Sequence, residues 1–442
     1  MKRLLVFSAV LFFVCAGIAH AAFISGSTGA DGAFNPTANM VLQVPANGIF
    51  NYSTINIPSG VTVTFANNAS NTPVYMLATG NVIIAGTISV NGVTFANSAM
   101  GGPGGPGGFA GGTGGGQSMI GGNGLGPGGG EGGKITGGAY FDAGGGGGYG
   151  IAGGSMSTVA AGGAVYGNAS IVPFMGGSGG GGTGWYDNAS RGGGGGGGGA
   201  VLIASSGRIT ISGSITADGG TSADQDRAGG GSGGAVKLMA NEITGGGNIS
   251  AKGGISRGGE GRIRLEATTN SFSAGTNPPY TAGLPGSVFV ANSPSLQITS
   301  IAGHAVPASP TGSYAQPDIA LPSTTVNPVS VAVSAAHIPA GTTVTISATP
   351  QYGAASSATA VLAGTTSSST ATANVTFSTT YTNVIMATTT YTLQASIYYE
   401  GEKLAKAVVT ATPGKKSEVI YISESGKKIK EEQLVLAGLI RR

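Results

Sequence analysis

Cysteine is all but missing: the only one in 442 residues is Cys15. It lies in the apolar run that opens the chain, so the rest can form no disulfide, carries no thiol nucleophile and offers no thiolate to a metal. Charge is scarce too. Asp, Glu, Lys and Arg make up 8% of the residues, 20 basic against 17 acidic, and a net charge this small gives no drive toward nucleic acid or an anionic membrane. The charges that exist are uneven, since from residue 400 onward nine Lys and Arg stand against six Glu. Histidine occurs three times, and neither His304 nor His337 has an acidic or nucleophilic partner in a recognisable motif. A hydrolase triad or a zinc site therefore lacks its parts. Past the first two dozen residues no apolar run reaches the ~20 that a membrane-spanning helix needs.

Lys2 and Arg3, an apolar run over residues 4–14, and Ala19-His20-Ala21 before Ala22 make the three-part pattern of a secretory signal. The pattern predicts cleavage after Ala21 and export to the cell surface or beyond, with the periplasm as the alternative. Val14 stands before Cys15 where a lipoprotein signal has a small residue, which argues against a lipid anchor.

What is abundant is glycine, 86 residues, far above the ~7% norm. About half of residues 101–199 are glycine, and this block interrupts a repeat. Upstream the chain reads Gly80-Asn-Val82-Ile-Ile84-Ala-Gly86-Thr-Ile88-Ser-Val90-Asn-Gly92; downstream it reads Gly207-Arg-Ile209-Thr-Ile211-Ser-Gly213-Ser-Ile215-Thr-Ala217-Asp-Gly219, shifted by 127 without a gap. A looser copy sets Ile249 34 residues after Ile215. Short alternating runs with turns between them put Ile55, Ile57, Val61, Val63, Val82, Ile84, Ile88 and Val90 on one face and Thr, Ser and Asn on the other.

Such strands, returning every few dozen residues, predict an all-β chain built as a β-solenoid (parallel β-helix) with a large glycine-rich insertion. Equal spacing predicts that Val82, Ile84, Ile88 and Val90 stack on Ile209, Ile211, Ile215 and Ala217, either directly or one coil away. The expected organisation is a signal over 1–21, a loose lead-in over 22–39, first coils over 40–100, the insertion over 101–199 and further coils over 200–290. Arg262-Ile263-Arg264-Leu265-Glu266-Ala267 matches Val236-Lys237-Leu238-Met239-Ala240 and makes the last coil. Thr/Val strands over 295–412, one of them over 390–396, predict an immunoglobulin-like β-sandwich. Glu400-Gly401-Glu402 reads as a hairpin turn. Ile429, Leu434, Leu436, Leu439 and Ile440 give the charged tail, 413–442, a helical spacing. For the block two states compete: a flexible linker, or a bundle of three-residue-per-turn extended helices bonded through glycine backbones and templated by the coils.

The juxtaposition of Ile55-Asn-Ile57-Pro-Ser-Gly60-Val-Thr-Val63 with Gly80-Asn-Val-Ile-Ile84-Ala-Gly86-Thr-Ile88, followed by the glycine block and Gly-Gly-Ala-Val returns, resembles glycine-rich secreted surface proteins of environmental bacteria over residues 50–267. The block also looks like the polyglycine tips of some phage tail-fibre adhesins. The first resemblance implies surface location and an adhesive or matrix character, not a reaction.

Parallel β-helices also carry polysaccharide lyases and hydrolases, whose sites gather acidic residues on one face. The only dense acidic cluster here is Asp218 with Asp224, Asp226 and Arg227, which reads as a solvated turn, with a calcium or catalytic site as the alternatives. No catalytic or metal-ligating set and no cofactor is expected. Trp185, the one tryptophan, with Tyr186, Asp187 and Asn188 is the candidate ligand site, because flat apolar rings beside amide and carboxylate groups suit sugar faces. Tyr140, Phe141, Tyr149 and Tyr166 belong to the same block, and the competing reading is that the rings plug gaps between glycine segments. The expected function is an exported, non-enzymatic surface or matrix protein, its partners surface glycans, matrix components or its own kind. A polysaccharide-degrading β-helix and a phage-fibre-type receptor binder are the alternatives.

Overall fold

The computed structural model describes residues 22–94, 99–116, 118–134, 143–155, 160–184, 192–222, 227–289, 294–308, 310–312, 314–390, 398–399, 402–410, 418–423 and 425–430. Every regular element among them is a strand, so the described chain is all-β, and none of its sheets closes into a barrel. The chain divides into two compact units, Met1–Thr389 and Thr390–Arg442.

From Ala33–Phe34 to Thr281–Gly283 the strands pair in parallel as a nine-stranded and a six-stranded sheet. The internal repeat dictates this. Ile209 lies opposite Val82 and Ile211 opposite Ile84, while Ile215 lies between Ile88 and Ile249. Side chains follow the same offset: Asn81 Oδ1 accepts from Arg208 N at 3.0 Å, Asn91 Oδ1 from Asp218 N at 2.7 Å and Thr94 Oγ1 from Thr221 N at 2.7 Å, each pair 127 residues apart. One strand on, Asp218 Oδ1 accepts from Lys252 N at 2.7 Å across 34 residues. All eight aliphatics assigned to the inner face, from Ile55 to Val90, are buried in one core shared by both sheets. Outward positions such as Thr87, Ser89, Ser214 and Thr216 are half-exposed.

Both ends of the stack are closed by rings. Phe34, Tyr52, Phe50 and Phe65 form a chain of contacts with centroids 4.8, 5.8 and 6.2 Å apart at the first strands, and Phe272 meets Tyr280 edge-on at 6.4 Å near the last. Apolar rows that would otherwise face water there are covered. The expected loose lead-in is pinned instead. Phe23 is buried, exchanging bonds with Asn241 at 2.7 and 3.0 Å; Ser25 Oγ donates to Ala78 O at 2.7 Å; and Ala33–Phe34 pairs with Thr54 and Ile55. Its small polar residues gave no periodicity to betray these long-range partners.

Between residues 295 and 389 pairing is antiparallel. Ser295–Ile301, His304–Ala305, Val329–Ala336, Ala363–Thr365 and Ser368–Val375 form one sheet, and Thr343–Pro350, Ser356–Val361 and Asn383–Thr389 form another. Asn383–Thr389 is a strand that the Thr/Val pattern missed, and the strand expected over 390–396 lies outside the described residues save Thr390, which is not extended into a sheet. In the second unit Tyr399 pairs with Glu402 across the expected hairpin. The helical reading of the tail is corrected at Ile429, which lies in the strand Lys428–Lys430 opposite Tyr421. Alternating lysines around one isoleucine suit a strand edge better than a helix face; Leu434, Leu436, Leu439 and Ile440 lie outside the described residues.

Candidate functional site

The described residues of the glycine block are ordered, and their order follows a step of three. Gly194 and Gly197 donate to Gly112 O and Phe109 O, each at 2.8 Å; Gly195 and Gly198 donate to Gly229 O and Ser232 O at 2.9 and 2.8 Å; Gly196 and Gly199 donate to Val93 O and Val90 O at 3.2 and 2.7 Å. In the other direction Gly102 and Gly105 donate to Gly194 O and Gly197 O, Gly180 and Gly177 to Gly195 O and Gly198 O, and Gly220 to Gly196 O. Residues 192–199 thus form a three-residue-per-turn extended helix of the polyproline-II type, enclosed by six neighbours. An isolated chain of this kind has no internal hydrogen bonds; here each turn bonds to three partners as donor and three as acceptor. Two of those partners, around Val90 and Ala217, are loops of the parallel stack, which therefore templates the bundle.

The same bonds fix which way each segment points. Gly197 meets Phe109 and Gly194 meets Gly112, so the chain beyond 112 leaves past Gly192. Val93 is bonded to Gly196, Thr183 to Gly192, Gly133 to Gly182, Ala161 to Glu131, and Gly229 to Gly195. The residues that follow or precede them run off in that direction too. Thr94, Gly116, Lys134, Ala143, Ala160, Gly184, Gly192, Ser222 and Arg227 consequently stand at one end of the bundle. At the opposite end begin the long strands Ala200–Ile211, Ala235–Gly245 and Arg262–Phe272.

Trp185, Tyr186, Asp187 and Asn188 lie outside the described residues, as do Tyr140, Phe141, Asp224 and Asp226. Their described flanks, Gly184 with Gly192, Lys134 with Ala143, and Ser222 with Arg227, all belong to that one end. Sequence spacing could not reveal this, because the segments are far apart in the chain and only the glycine lattice aligns them.

Tyr149 and Tyr166 are a different matter: they are plugs at the base. Tyr149 is buried, its ring 4.6 Å from that of Tyr166, with the Arg262 guanidinium 5.5 Å above it, a favourable placing of a cation on a ring face. Tyr149 Oη donates to Met175 O at 3.1 Å and Tyr166 Oη to Gly176 O at 2.7 Å, while Ser178 Oγ donates to Tyr166 Oη at 3.1 Å. Burial pushes both phenols well above their ordinary range, so they stay neutral donors. Tyr166→Phe leaves a buried carbonyl without its donor, and urea unfolding is expected to show a loss of about 1–2 kcal/mol; an unchanged midpoint would remove the plug argument.

Beside them is a cluster that the motif reading missed. Lys237 Nζ lies 3.1 Å from Glu266 Oε1, and Arg264 Nε lies 2.6 Å from the same oxygen, all three side chains at most 16% exposed. Lys237 also donates to Ser170 O at 3.4 Å, Thr281 Oγ1 to Ala169 O at 3.1 Å and Arg262 to Tyr166 O at 2.8 Å. Side chains of the sheet thereby hold three carbonyls of the segment that closes the block over the stack. The signal was present in Ala-Val-Lys-Leu-Met-Ala and Arg-Ile-Arg-Leu-Glu-Ala, where charges occupy alternate positions of otherwise apolar strands.

A crevice of about 1310 Å³ runs between the base of the bundle and the antiparallel sheets. Phe109, Phe174, Phe377 and Tyr381 line it, and the neighbouring amides are engaged internally: Asn67 donates to Gly104 O at 3.0 Å and Asn71 to Gly108 O at 2.6 Å. Its one carboxylate, Asp318, is raised by burial but more strongly lowered by hydrogen bonds from Thr311 and Gly312, so it titrates below the usual range. Asp218 is occupied by Ser250 Oγ at 2.9 Å and Lys252 N. His304 is exposed in an edge strand, and His337 sits in a left-handed turn, φ 59°. Among the described residues no group of three or more His, Cys, Asp or Glu could hold a metal ion. No helix among them is long and apolar enough to cross a membrane. Comparison with protein-family models, with curated proteins and with solved structures returns no match to this chain.

Proposed function

We propose that the chain is an exported, non-enzymatic protein of the cell surface or extracellular matrix, which binds surface glycans or matrix components at the far end of its glycine bundle. In this reading the parallel stack is a β-solenoid, the antiparallel strands over 295–389 form an immunoglobulin-like sandwich, and residues 1–21 are removed on export. The observation that carries the proposal is the convergence of segment ends. Flanks separated by more than a hundred residues in sequence, from Thr94 to Arg227, stand together on a support bonded in six directions. A rigid support lowers the ordering entropy that a binding surface must offset, and loops on a rigid scaffold are where recognition concentrates. Trp185 and Tyr186 with Asp187 and Asn188 supply the ring faces and polar neighbours that sugar recognition uses.

A glycan array probed with residues 22–442 tests this. Binding is expected, and Trp185→Ala should weaken it by ~1–3 kcal/mol, the scale of stacking on an aromatic ring, or about fivefold to over a hundredfold, with the melting temperature unchanged. Unchanged binding with a lowered melting temperature would assign Trp185 to packing and overturn the site. Polysaccharide turnover that disappears in Asp224→Ala would replace the proposal with an enzyme.

A further inference from the structure

Between residues 295 and 389 the only Asp, Glu, Lys or Arg is Asp318, and its carboxylate is bonded locally to Thr311 and Gly312. No strand of the two antiparallel sheets between residues 295 and 389 therefore carries a formal charge. At sheet edges this matters, because unpaired N–H and C=O groups template pairing with another chain, and lysine, proline or a bulge normally blunts them. One segment supplies an edge to both sheets. Among the described residues Ser356–Val361 pairs only with Thr343–Pro350, at the margin of the three-stranded sheet. Ala363–Thr365 pairs only with Ser368–Val375, at the margin of the five-stranded one.

Leu362 anchors the crossing between the two. It is buried, its N–H donates to Thr342 O at 2.9 Å, and its carbonyl accepts from Gly341 N at 2.9 Å. Ser356–Val361 keeps an unbroken register of six partners, without bulge or proline. Ser357, Thr359 and Val361 are exposed, Val361 at 59%. The parallel stack shows what protection looks like in this chain, for its ends are covered by aromatic rings; among the described residues no ring contact covers the edge over 356–365.

We propose that this double edge is a self-association surface, on which Ser356–Val361 of one copy pairs antiparallel with the same strand of a second copy across a two-fold axis. Two identical strands related by a two-fold run antiparallel, and each patch is its own complement. Any charge on the edge would face its like at close range and oppose this. The partner is a second copy because the row is uncharged, offers only backbone groups, and carries small hydroxyl and methyl side chains that admit a neighbour at strand spacing. The inference stands whether or not the bundle end binds a glycan.

Sedimentation velocity of residues 22–442 over a wide concentration range is the test. Reversible dimerisation is expected, independent of ionic strength. Thr359→Lys should weaken it by about a hundredfold or more, whereas Thr372→Lys, on the outer face of the paired strand Ser368–Val375, should leave it unchanged. Should Thr359→Lys fail to fold, single cysteines provide a second route: residues 22–442 contain no cysteine, so Ser357→Cys, Thr359→Cys or Val361→Cys should crosslink between copies on mild oxidation, since cross-strand Cβ atoms come within disulfide range, and Thr372→Cys should not. A monomer at every concentration, a dimer indifferent to Thr359→Lys, or no crosslink at any of the three positions would overturn the proposal.

Discussion

Replacing Gly196 by alanine is expected to unfold the glycine bundle. A Cβ built on Gly196 falls far inside van der Waals contact distance of the Pro103 carbonyl oxygen, with Gly102 O 2.7 Å away. Ordinary overpacking costs roughly 1–3 kcal/mol because neighbouring side chains shift. Here the obstruction is backbone held by its own hydrogen bonds, and retreat on one side compresses the helices on the other five, so the loss should exceed ~4 kcal/mol, the range reserved for disrupted cores. Gly275→Ala is the control, since nothing lies within 4 Å of its added methyl, and it should stay within ~0.5 kcal/mol of the parent. Urea unfolding with hydrogen exchange over residues 192–199 reads the difference. Equal stability of the two variants would mean that the bundle does not hold these segments in close contact.

The parts legible beforehand are those whose information is local and periodic. Alternation identified the buried faces, and the 127-residue offset placed Val82 with Ile209 and Ile84 with Ile211 in one register, which the structure resolves as direct neighbours, because a parallel stack converts sequence repetition into register. The three-residue bundle could be named as a state but not resolved into neighbours: every glycine looks like every other, and only the described hydrogen bonds distinguish Gly112 from Gly180 as a partner. Two strands escaped notice for opposite reasons. Ala200 to Ser205, paired with Val74–Ala78, was hidden at the end of a glycine run, whereas Asn383–Thr389 has a continuous apolar core, Val384-Ile385-Met386, without alternation. The lead-in was misjudged because its contacts are long-range and aperiodic: polar bonds of Ser25 to Ala78 and Phe23 to Asn241, and packing of Phe23 with Leu77, Leu202 and Met239. Of the candidate site, the residue types were visible in the sequence, while the alignment of their flanks at one end arises only from the lattice.

Removing the carboxylate at Glu266 should be the most damaging single change on the parallel stack. Glu266 is the one anion between Lys237 and Arg264, at 3.1 and 2.6 Å, and its side chain is 7% exposed. Lys237 lies directly opposite Arg264 in the ladder, so in Glu266→Gln two cations face each other across neighbouring strands with no counter-charge. Breaking one partner of a buried pair typically costs about 3–5 kcal/mol, and the damage should spread, because Lys237 also holds Ser170 O and so the segment that closes the block. Relief is expected from the second change in Lys237→Met/Glu266→Gln. With one cation gone the repulsion disappears, and methionine packs beside buried Met239 and Leu202 on the same face. The double variant should therefore be more stable than Glu266→Gln alone, with a coupling of roughly 1–3 kcal/mol in a double-mutant cycle. Thermal and urea unfolding of the four proteins measure it. Additive losses would show that Lys237 and Glu266 act separately, and that the segment around Ser170 is held by packing of Ile171 and Phe174 instead of by charge.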